Sequence, residues 1–359
     1  MSVDNGSPGQ HPARCRTLDG GGPKLSKMTN DNRKLRFLSA ADVRRALPMP
    51  EAITVMKAAF RELSENRAVV PLRTHVPMPE HRGDVLVMPA YSPGTARFGL
   101  KVITLFENNP ALKLPFIQAM VMVFDTATGS PVAIMEGTSL TAIRSGAASG
   151  AATDFLACKD ARKVAIFGAG IQARTQLEAV CAVRTIREAS VFDHDRARAA
   201  AFAREATAAF GITVSVAPSS AAALDGAAVV CTATTSATPV FADHEVAPGT
   251  HINAIGSYKP HMREIPPETV VRALVVVDQH AAAWEEAGDL ILPLHAGLIQ
   301  ADHVHAELGE IAAGSKPGRT HRDTVTFFKS VGIAIQDLAA ASCVLANART
   351  LGLGTEVPL

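Results

Sequence analysis

The sequence has few cysteines, no blocks of like charge and no long apolar runs. Its five cysteines are scattered and never form C-x-x-C, which argues against a disulfide framework or a zinc site and for a reducing compartment. The net charge of +1 gives nucleic-acid or membrane-surface binding no electrostatic basis. No apolar run reaches the roughly 18 residues of a membrane helix, and no signal-peptide pattern is present. These absences favour a cytoplasmic globular protein without a membrane or nucleic-acid partner.

Length and composition favour a two-domain enzyme. The chain has 359 residues, of which 47% are hydrophobic and 19% charged, as in proteins with a sizeable core. Residues 1–32 are rich in Gly, Pro, Ser and Asn and have no apolar period. We therefore expect a disordered tail there, with Met28 as an alternative start.

Residues 33–140 combine helices with strands. Ser39 and Asp42 have the spacing of a capping box, and a second helix follows Pro50. Apolar or alternating runs then predict a largely antiparallel sheet with strands at Val69–Met78, Asp84–Met88, Phe98–Phe106, Ala119–Phe124 and Pro131–Met135.

A strand-to-helix junction in the middle of the chain has the pattern of a dinucleotide site, G-x-G-x-x-A. Gly168 permits the tight turn, Gly170 lets a pyrophosphate approach the backbone, and Ala173 allows close helix–strand packing. A second apolar strand ends at Asp193, about 20 residues on, where a carboxylate binds a ribose diol. The alternative is an unrelated α/β turn whose glycines only make a tight corner.

Strands alternating with helices after Lys163 predict a Rossmann-type, doubly wound parallel sheet. The carboxyl ends of its strands bring the 168–173 turn, Asp193 and the loops 232–235 and 255–259 to one edge. A helix is predicted at Ser139–Cys158. Apolar residues at helical spacing predict another at Thr324–Ala348, packing on the first domain.

Two basic residues stand among apolar or small neighbours. Lys101 lies either on the solvent face of its strand or in a pocket, and the pattern by itself favours solvent. Arg144 is either a charge on a helix surface or a phosphate ligand. His303 and His305 do not predict a metal site, because on a helix this spacing points the two rings to different faces.

Eight short stretches, each modest alone, occur in an order typical of one family. They are Val87–Tyr91, Gly99–Val102, Thr141–Ser145, Gly168–Ala173, Val229–Thr234, Ile252–Ser257, Glu307–Glu310 and Phe328–Gly332. Over about residues 37–348 the chain resembles the ornithine cyclodeaminase/μ-crystallin family. In motif it is most similar to the ketimine and Δ1-pyrroline-2-carboxylate reductase members.

The resemblance implies a fold, a cofactor and a set of site residues. It implies a substrate-binding and dimerisation α+β domain (33–140 and 320–359) around a Rossmann domain (141–319), in a homodimer that uses NAD or NADP. Arg73 and Lys101 match positions that hold a substrate α-carboxylate, for which a bidentate arginine and an ammonium are suited. Arg144 matches a contact to the cofactor phosphate. Other matches, with the glycine turn, are the cofactor positions Ile171, Gln172, Asp193, Thr232, Ile255, Ser257 and Ser330.

One departure from the family bears on the reaction. In cyclodeaminases the loop after Ile-Gly carries a catalytic aspartate before a Cys-Pro-Gly-Lys run, and Tyr258 takes the place of that aspartate here. Ammonia elimination then lacks the carboxylate that activates the amine. The Pro-x-x-Arg-Glu run that ends at Glu264 is more similar to the imine-reducing members. We therefore expect an NAD(P)H-dependent reductase of a small α-imino acid, or an amino-acid dehydrogenase.

In this reaction Arg73 and Lys101 fix the carboxylate, and Lys101 is also a candidate proton donor to the imine nitrogen. Tyr258 is either a hydrogen-bond donor or a wall of the pocket. Two alternatives stay open: an ornithine or lysine cyclodeaminase that uses NAD catalytically, and a non-catalytic ligand-binding protein of the μ-crystallin type. Asp193 favours NAD, because its carboxylate repels a 2′-phosphate, although His194 and Arg196 soften that repulsion.

Overall fold

The computed structural model describes residues 33–359, so the predicted tail and the alternative start at Met28 lie outside the described part. We number strands and α-helices in chain order. The strands are β1 Lys34–Leu38, β2 Thr74–Met78, β3 Gly83–Ser92, β4 Arg97–Phe106, β5 Ile117–Asp125, β6 Pro131–Glu136, β7 Lys163–Phe167, β8 Glu188–Phe192, β9 Thr213–Val216, β10 Val229–Thr232, β11 His251–Ala254, β12 Leu274–Val277, β13 Val304–Glu307, β14 Thr326–Lys329 and β15 Thr355–Pro358. The helices are α1 Ala40–Ala46, α2 Met49–Ser64, α3 Gly137–Leu156, α4 Ile171–Val183, α5 Arg196–Phe210, α6 Ser220–Leu224, α7 Pro267–Arg272, α8 His280–Glu286, α9 Gly288–His295, α10 Leu308–Ala313 and α11 Ala334–Leu351.

The first sheet has the order β15-β1-β6-β5-β4-β3-β2. It is antiparallel, as predicted, except that β1 pairs with β6 in parallel. The strand predicted from Val69 begins only at Thr74, and Val69 itself forms an isolated bridge with Tyr91. The helices α1, α3 and α11 pack on this sheet and α2 packs on α3 and α11, while β2 at the edge of the sheet is exposed along its whole length.

The second sheet confirms the doubly wound fold. Its order is β13-β12-β14-β11-β10-β7-β8-β9, and the strand pairs are parallel. The strands β10 and β11 are buried at every residue, as expected where helices cover both faces of a parallel sheet. The chain order reverses between β7 and β10. Ligands of such sheets bind at this reversal, beyond the carboxyl ends of the strands.

The helix predicted at Thr324–Ala348 is wrong at its start. Thr326–Lys329 forms β14 in the middle of the parallel sheet, and α11 begins only at Ala334. A strand buried on both faces has no alternation, so its apolar residues can match helical spacing by chance. Gly332, at φ +79°, separates the two elements. As predicted, α11 then packs on α1, α2, β3 and β4.

The helix starts follow local chemistry. The Ser39 hydroxyl accepts a hydrogen bond from the Asp42 N–H, and the Asp42 carboxylate accepts one from the Ser39 N–H, which confirms the capping box. The predicted helix Ser139–Cys158 is α3. Of the described residues, no helix has the length and apolarity to cross a membrane. The division into two domains stays a prediction, with β14, inside 320–359, belonging to the parallel sheet.

Candidate active site

The glycine turn lies between β7 and α4, at the reversal of the second sheet. Gly168 has φ +93°, and a Cβ there would lie 2.6 Å from the Ala233 carbonyl oxygen. Gly170 is the N-cap of α4, without a side-chain cap, and a Cβ built on it would meet open space. The free N–H groups of the helix start therefore face an open cradle that suits a phosphate. Ala173 is fully buried, as close helix–strand packing requires.

Asp193 follows β8 and lies beside this turn. Its carboxylate accepts hydrogen bonds from the Ala169 N–H at 2.8 Å and the Asp195 N–H at 2.8 Å. These two bonds hold the carboxylate next to the glycine turn and leave each oxygen a further acceptor position. Arg198 Nε lies 3.9 Å from the Asp193 carboxylate. This cation was not identified from the sequence, and it weakens the repulsion between Asp193 and a second anion.

The other predicted cofactor residues share the same edge of the sheet. Thr232, Ser257 and Ser330 are buried, and their hydroxyls donate to protein groups, respectively the Glu264 carboxylate, the Met262 carbonyl and the Asp278 carboxylate. These three hydroxyls therefore shape the edge of the sheet. Ile171 is two-thirds exposed, Ile255 is half-buried, and the buried Gln172 Oε1 has no partner among the described residues.

A buried charged cluster lies where the first sheet meets α3 and α11. Lys101 Nζ is 2.5 Å from Asp337 Oδ2, and Arg144 Nε donates to Asp337 Oδ1 at 2.9 Å. All three side chains are almost wholly buried. Burial lowers the pKa of Lys101 to about 7, against the opposing effect of Asp337. Burial opposes the charge of Asp337 as well, but Arg144 and Lys101 hold the pKa of that carboxyl below its usual value.

The expectation that Lys101 faces solvent is wrong. Lys101 shares the inner face of β4 with Ile103 and Leu105, while Leu100 and Val102 are half-buried on the other face. Because both faces of β4 are apolar, alternation did not identify the outer one. Arg144 is likewise not a charge on a helix surface, since its guanidinium is buried in the cluster.

Arg73 and Glu286 form a second pair beside this cluster. Arg73 Nη2 lies 2.5 Å from Glu286 Oε2, and both side chains line the same small cavity. Burial raises the pKa of Glu286 to about 7, with the charge of Arg73 opposing the rise. The site thus holds two groups, Lys101 and Glu286, that titrate near neutral pH.

The segment Ser330–Gly332 connects the two halves of the site. It leaves β14 at the edge where the cradle lies, and Asp278 accepts hydrogen bonds from the N–H groups of Val331 and Gly332 at 2.9 and 2.8 Å. Arg73 donates to the carbonyls of the same two residues, and a Cβ on Gly332 would lie 2.6 Å from Arg144 Nη1. The charged cluster therefore adjoins the same carboxyl edge of the second sheet on which the cradle lies, with β10 and β11 between the cradle and β14.

Tyr258 lies in the loop after β11 and is half-buried. Burial raises the pKa of its phenol, and the charge of Asp84 on β3 adds to the rise. Tyr258 therefore stays a neutral hydrogen-bond donor at physiological pH. Asp84 on β3 and Arg73, just before β2, are the charged residues near it.

Sequence reasoning missed three acids of this region: Asp337, Glu286 and Glu264. Asp337 was detectable, because it is the one acidic residue in the apolar run Ala334–Ala341. The two histidines considered as metal ligands bond to backbone carbonyls, His303 to Val270 and His305 to Pro317. His305 lies on β13 rather than on a helix. Within residues 33–359, no three His, Cys, Asp or Glu side chains group as metal ligands would.

Comparison with known proteins shows the family to which this chain belongs. Residues 33–351 match the model of the ornithine cyclodeaminase/mu-crystallin family. A Δ1-pyrroline-2-carboxylate reductase from Bacillus cereus is 38% identical over 321 residues, which cover 89% of this chain and 98% of the relative. The chain belongs to the ornithine cyclodeaminase/μ-crystallin family.

Solved structures of related proteins share the fold. The Δ1-pyrroline-2-carboxylate reductase of Thermococcus litoralis, in complex with NADH and L-proline, is 41% identical, with a TM-score of 0.87 over 90% of this chain and all of the other. An archaeal alanine dehydrogenase dimer with bound NAD is 33% identical, with a TM-score of 0.84 over 90% of this chain and 99% of the other. This family member therefore has the architecture of both enzymes over almost its whole described length.

Proposed function

We propose that the protein is an NAD(P)H-dependent reductase of a small α-imino acid, of the cyclic-imine or ketimine type. The observation that carries the proposal is that the segment Ser330–Gly332 leaves the carboxyl edge of the sheet that also holds the dinucleotide cradle, and contacts Arg73 and Arg144 of the buried cationic group. The relatives named as imine reductases and alanine dehydrogenase support the same reaction class.

Arg73 and Lys101 hold the substrate carboxylate. With Lys101 protonated, Arg73, Arg144 and Lys101 carry three positive charges, Asp337 carries one negative charge, and Glu286 is neutral while it holds the proton for the imine. The protein therefore leaves positive charge uncompensated, and an incoming carboxylate pairs with it. The guanidinium of Arg73 can bind the substrate carboxylate through two parallel N–H groups while it keeps part of its contact with Glu286.

The imine nitrogen takes its proton from a group that titrates near neutral pH. Lys101 and Glu286 both have a pKa of about 7, as general acids need for an imine at physiological pH. Glu286 is the more exposed of the two and lies at the wall of the cavity. Lys101 is paired with Asp337 and is already assigned to binding of the substrate carboxylate, so Glu286 is the proton donor. Arg73 orients both the substrate and Glu286.

The cradle fits the pyrophosphate of NAD. Open space at Gly170 and the free N–H groups of α4 suit the phosphates, and Asp193 suits the diol of the adenosine ribose. Asp193 also favours NAD over NADP, because a 2′-phosphate would lie against its carboxylate. A reduced nicotinamide bound at this edge supplies the hydride that reduces the C=N carbon.

The test is oxidation of NADH and, separately, NADPH with Δ1-pyrroline-2-carboxylate, Δ1-piperideine-2-carboxylate, iminosuccinate, and pyruvate with ammonia. We expect turnover of a cyclic imine and faster reaction with NADH. The alternative cyclodeaminase would form proline and ammonia from ornithine with catalytic NAD. The cyclodeaminase reaction would lack the catalytic carboxylate that activates the amine, because Tyr258 occupies the position of that aspartate. A third outcome, tight ligand binding with no turnover of any compound, would indicate a binding protein.

We also propose a cytoplasmic homodimer. The outer face of the first sheet carries the exposed apolar side chains of Val76, Met78 and Met120, and registers through β3 and β4 place the three on one face. A related alanine dehydrogenase is a dimer. Light scattering tests the state, and Met120→Glu is expected to give a monomer. The free cysteines Cys158, Cys181, Cys231 and Cys343 suit a reducing compartment, which cell fractionation tests.

A further inference from the structure

Glu264 has a role that its sequence position does not suggest. Its carboxylate is fully buried and accepts five hydrogen bonds. One oxygen accepts from the Thr234 N–H and hydroxyl, both at 2.8 Å. The other accepts from the Thr232 hydroxyl at 2.9 Å, the Gly256 N–H at 2.7 Å and the Ser257 N–H at 3.2 Å. The five donors belong to the end of β10 and the loop after it, and to the loop after β11.

The two loops fit together around this carboxylate. A Cβ on Gly256 would lie 2.6 Å from Glu264 Oε1 and 2.2 Å from the Thr234 carbonyl oxygen. The backbone of Glu264 is also held, because its N–H donates to Asp289 at 2.7 Å. Lys329, fully buried, joins Asp289 to the Ser257 carbonyl at 2.8 and 2.5 Å. A buried carboxylate costs more than an apolar residue of the same size, so these polar contacts serve placement more than stability.

The two loops that Glu264 joins lie on the side of the sheet reversal opposite to the glycine turn and Asp193. Asp193 after β8 and the glycine turn after β7 lie on one side of the reversal of the sheet, where they suit the adenosine and the pyrophosphate. The loops after β10 and β11 lie on the other side, next to β14 and its segment Ser330–Gly332. A dinucleotide extended along this edge places its nicotinamide half against these loops.

We propose that Glu264 is a positioning residue that ties the loops after β10 and β11 into one surface for the nicotinamide half of the cofactor. The inference rests on the cofactor assignment of the proposed function and goes beyond it, to a residue that does not face the ligand. Glu264 acts through Thr234, Gly256 and Ser257, whose placement it sets.

The test compares two ligands in wild type and Glu264→Gln. The amide keeps the size of the side chain, but its NH2 group must take one of the two oxygen positions. The N–H of Thr234, or the N–H groups of Gly256 and Ser257, then lose their acceptor. We expect the Kd of NADH to rise about tenfold, while the Kd of ADP-ribose, which lacks nicotinamide, stays unchanged. The expected change in turnover is a fall in kcat together with a rise in the KM of NADH.

Two controls keep the result interpretable. Glu245→Gln removes a carboxylate that caps a helical turn before β11, at the opposite end of that strand, and should leave both affinities unchanged. Thr234→Val removes one donor to Glu264 and serves if Glu264→Gln does not fold, with a weaker effect of about threefold on NADH alone.

An equal loss for NADH and ADP-ribose would make Glu264 a general structural residue and overturn the inference. Unchanged affinity for both ligands in a folded Glu264→Gln protein would overturn it as well. Both binding assays need no turnover. A wild-type protein that binds NADH and reduces no imine would therefore contradict the proposed function while still testing Glu264.

Discussion

Asp337→Asn tests the charged cluster most directly. Asp337 joins Lys101 and Arg144, which are both buried, and asparagine keeps its shape while removing its charge. Asp337 raises the pKa of Lys101, which burial lowers to about 7. In the proposed function Lys101 binds the substrate carboxylate, which it can do only as an ammonium, so activity is expected to fall as pH rises through this pKa. Without Asp337 the fall must come at lower pH.

The size of the shift follows from the contact. An opposite charge at this distance moves a pKa by about one to three units. At pH 7 half of Lys101 carries its proton in the wild type, against about a tenth to a thousandth in the variant. The value of kcat/KM for the imine at pH 7 therefore falls by about five- to five-hundred-fold.

The assay is NADH oxidation with Δ1-pyrroline-2-carboxylate between pH 5 and 9, with thermal unfolding as a check of folding. Ionisation of the imine affects both proteins equally, so the difference between their profiles reports Lys101. Asp160→Asn, which removes an exposed partner of Arg322, is the control and should leave the profile unchanged. An inflection at the wild-type pH, or at a higher one, in Asp337→Asn would refute this reasoning.

Three further substitutions test other parts of the site. Arg73→Lys should raise the KM of the imine about tenfold and leave that of NADH unchanged, because lysine lacks the bidentate fork. Asp193→Ser should raise the kcat/KM ratio of NADPH to NADH about tenfold, and an unchanged ratio would remove Asp193 from cofactor choice. Gly332→Ala should lower Tm and kcat/KM together. It costs about 1–2 kcal/mol for the left-handed backbone and places a Cβ 2.6 Å from Arg144. A Tm equal to the wild type would contradict this.

The fold was predictable where local chemistry determines it. The glycine turn, the capping box at Ser39 and the alternation of strands and helices each follow from neighbours in sequence. The strand β14 was not, because full burial removes the period that distinguishes a strand from a helix. A parallel strand in the centre of a sheet is recognised by its partners, which lie far away in the chain.

The charged site was predictable in its cations but not in its anions. Lys101 and Arg73 matched family positions, whereas their partners Asp337 and Glu286, respectively, each lie more than 200 residues further along the chain. The sequence gives the position of each charged residue but not which charged residues contact each other in the fold. The packing of α11 on the first sheet and the contact of α8 with Arg73 decide which charges are buried together, and with them the pKa shifts of Lys101 and Glu286.

The charge balance leads to a last prediction, proton uptake on binding of an anion. Lys101 and Glu286 both have a pKa of about 7, so at pH 8 both are mostly deprotonated. A bound carboxylate favours the ammonium of Lys101 and the neutral acid of Glu286, and it raises both pKa values. Binding of tetrahydrofuran-2-carboxylate, whose ring oxygen does not ionise, should therefore take up protons at pH 8. Calorimetry in two buffers of different ionisation enthalpy measures this uptake. Proton release, or no exchange, would show that neither group faces the substrate carboxylate.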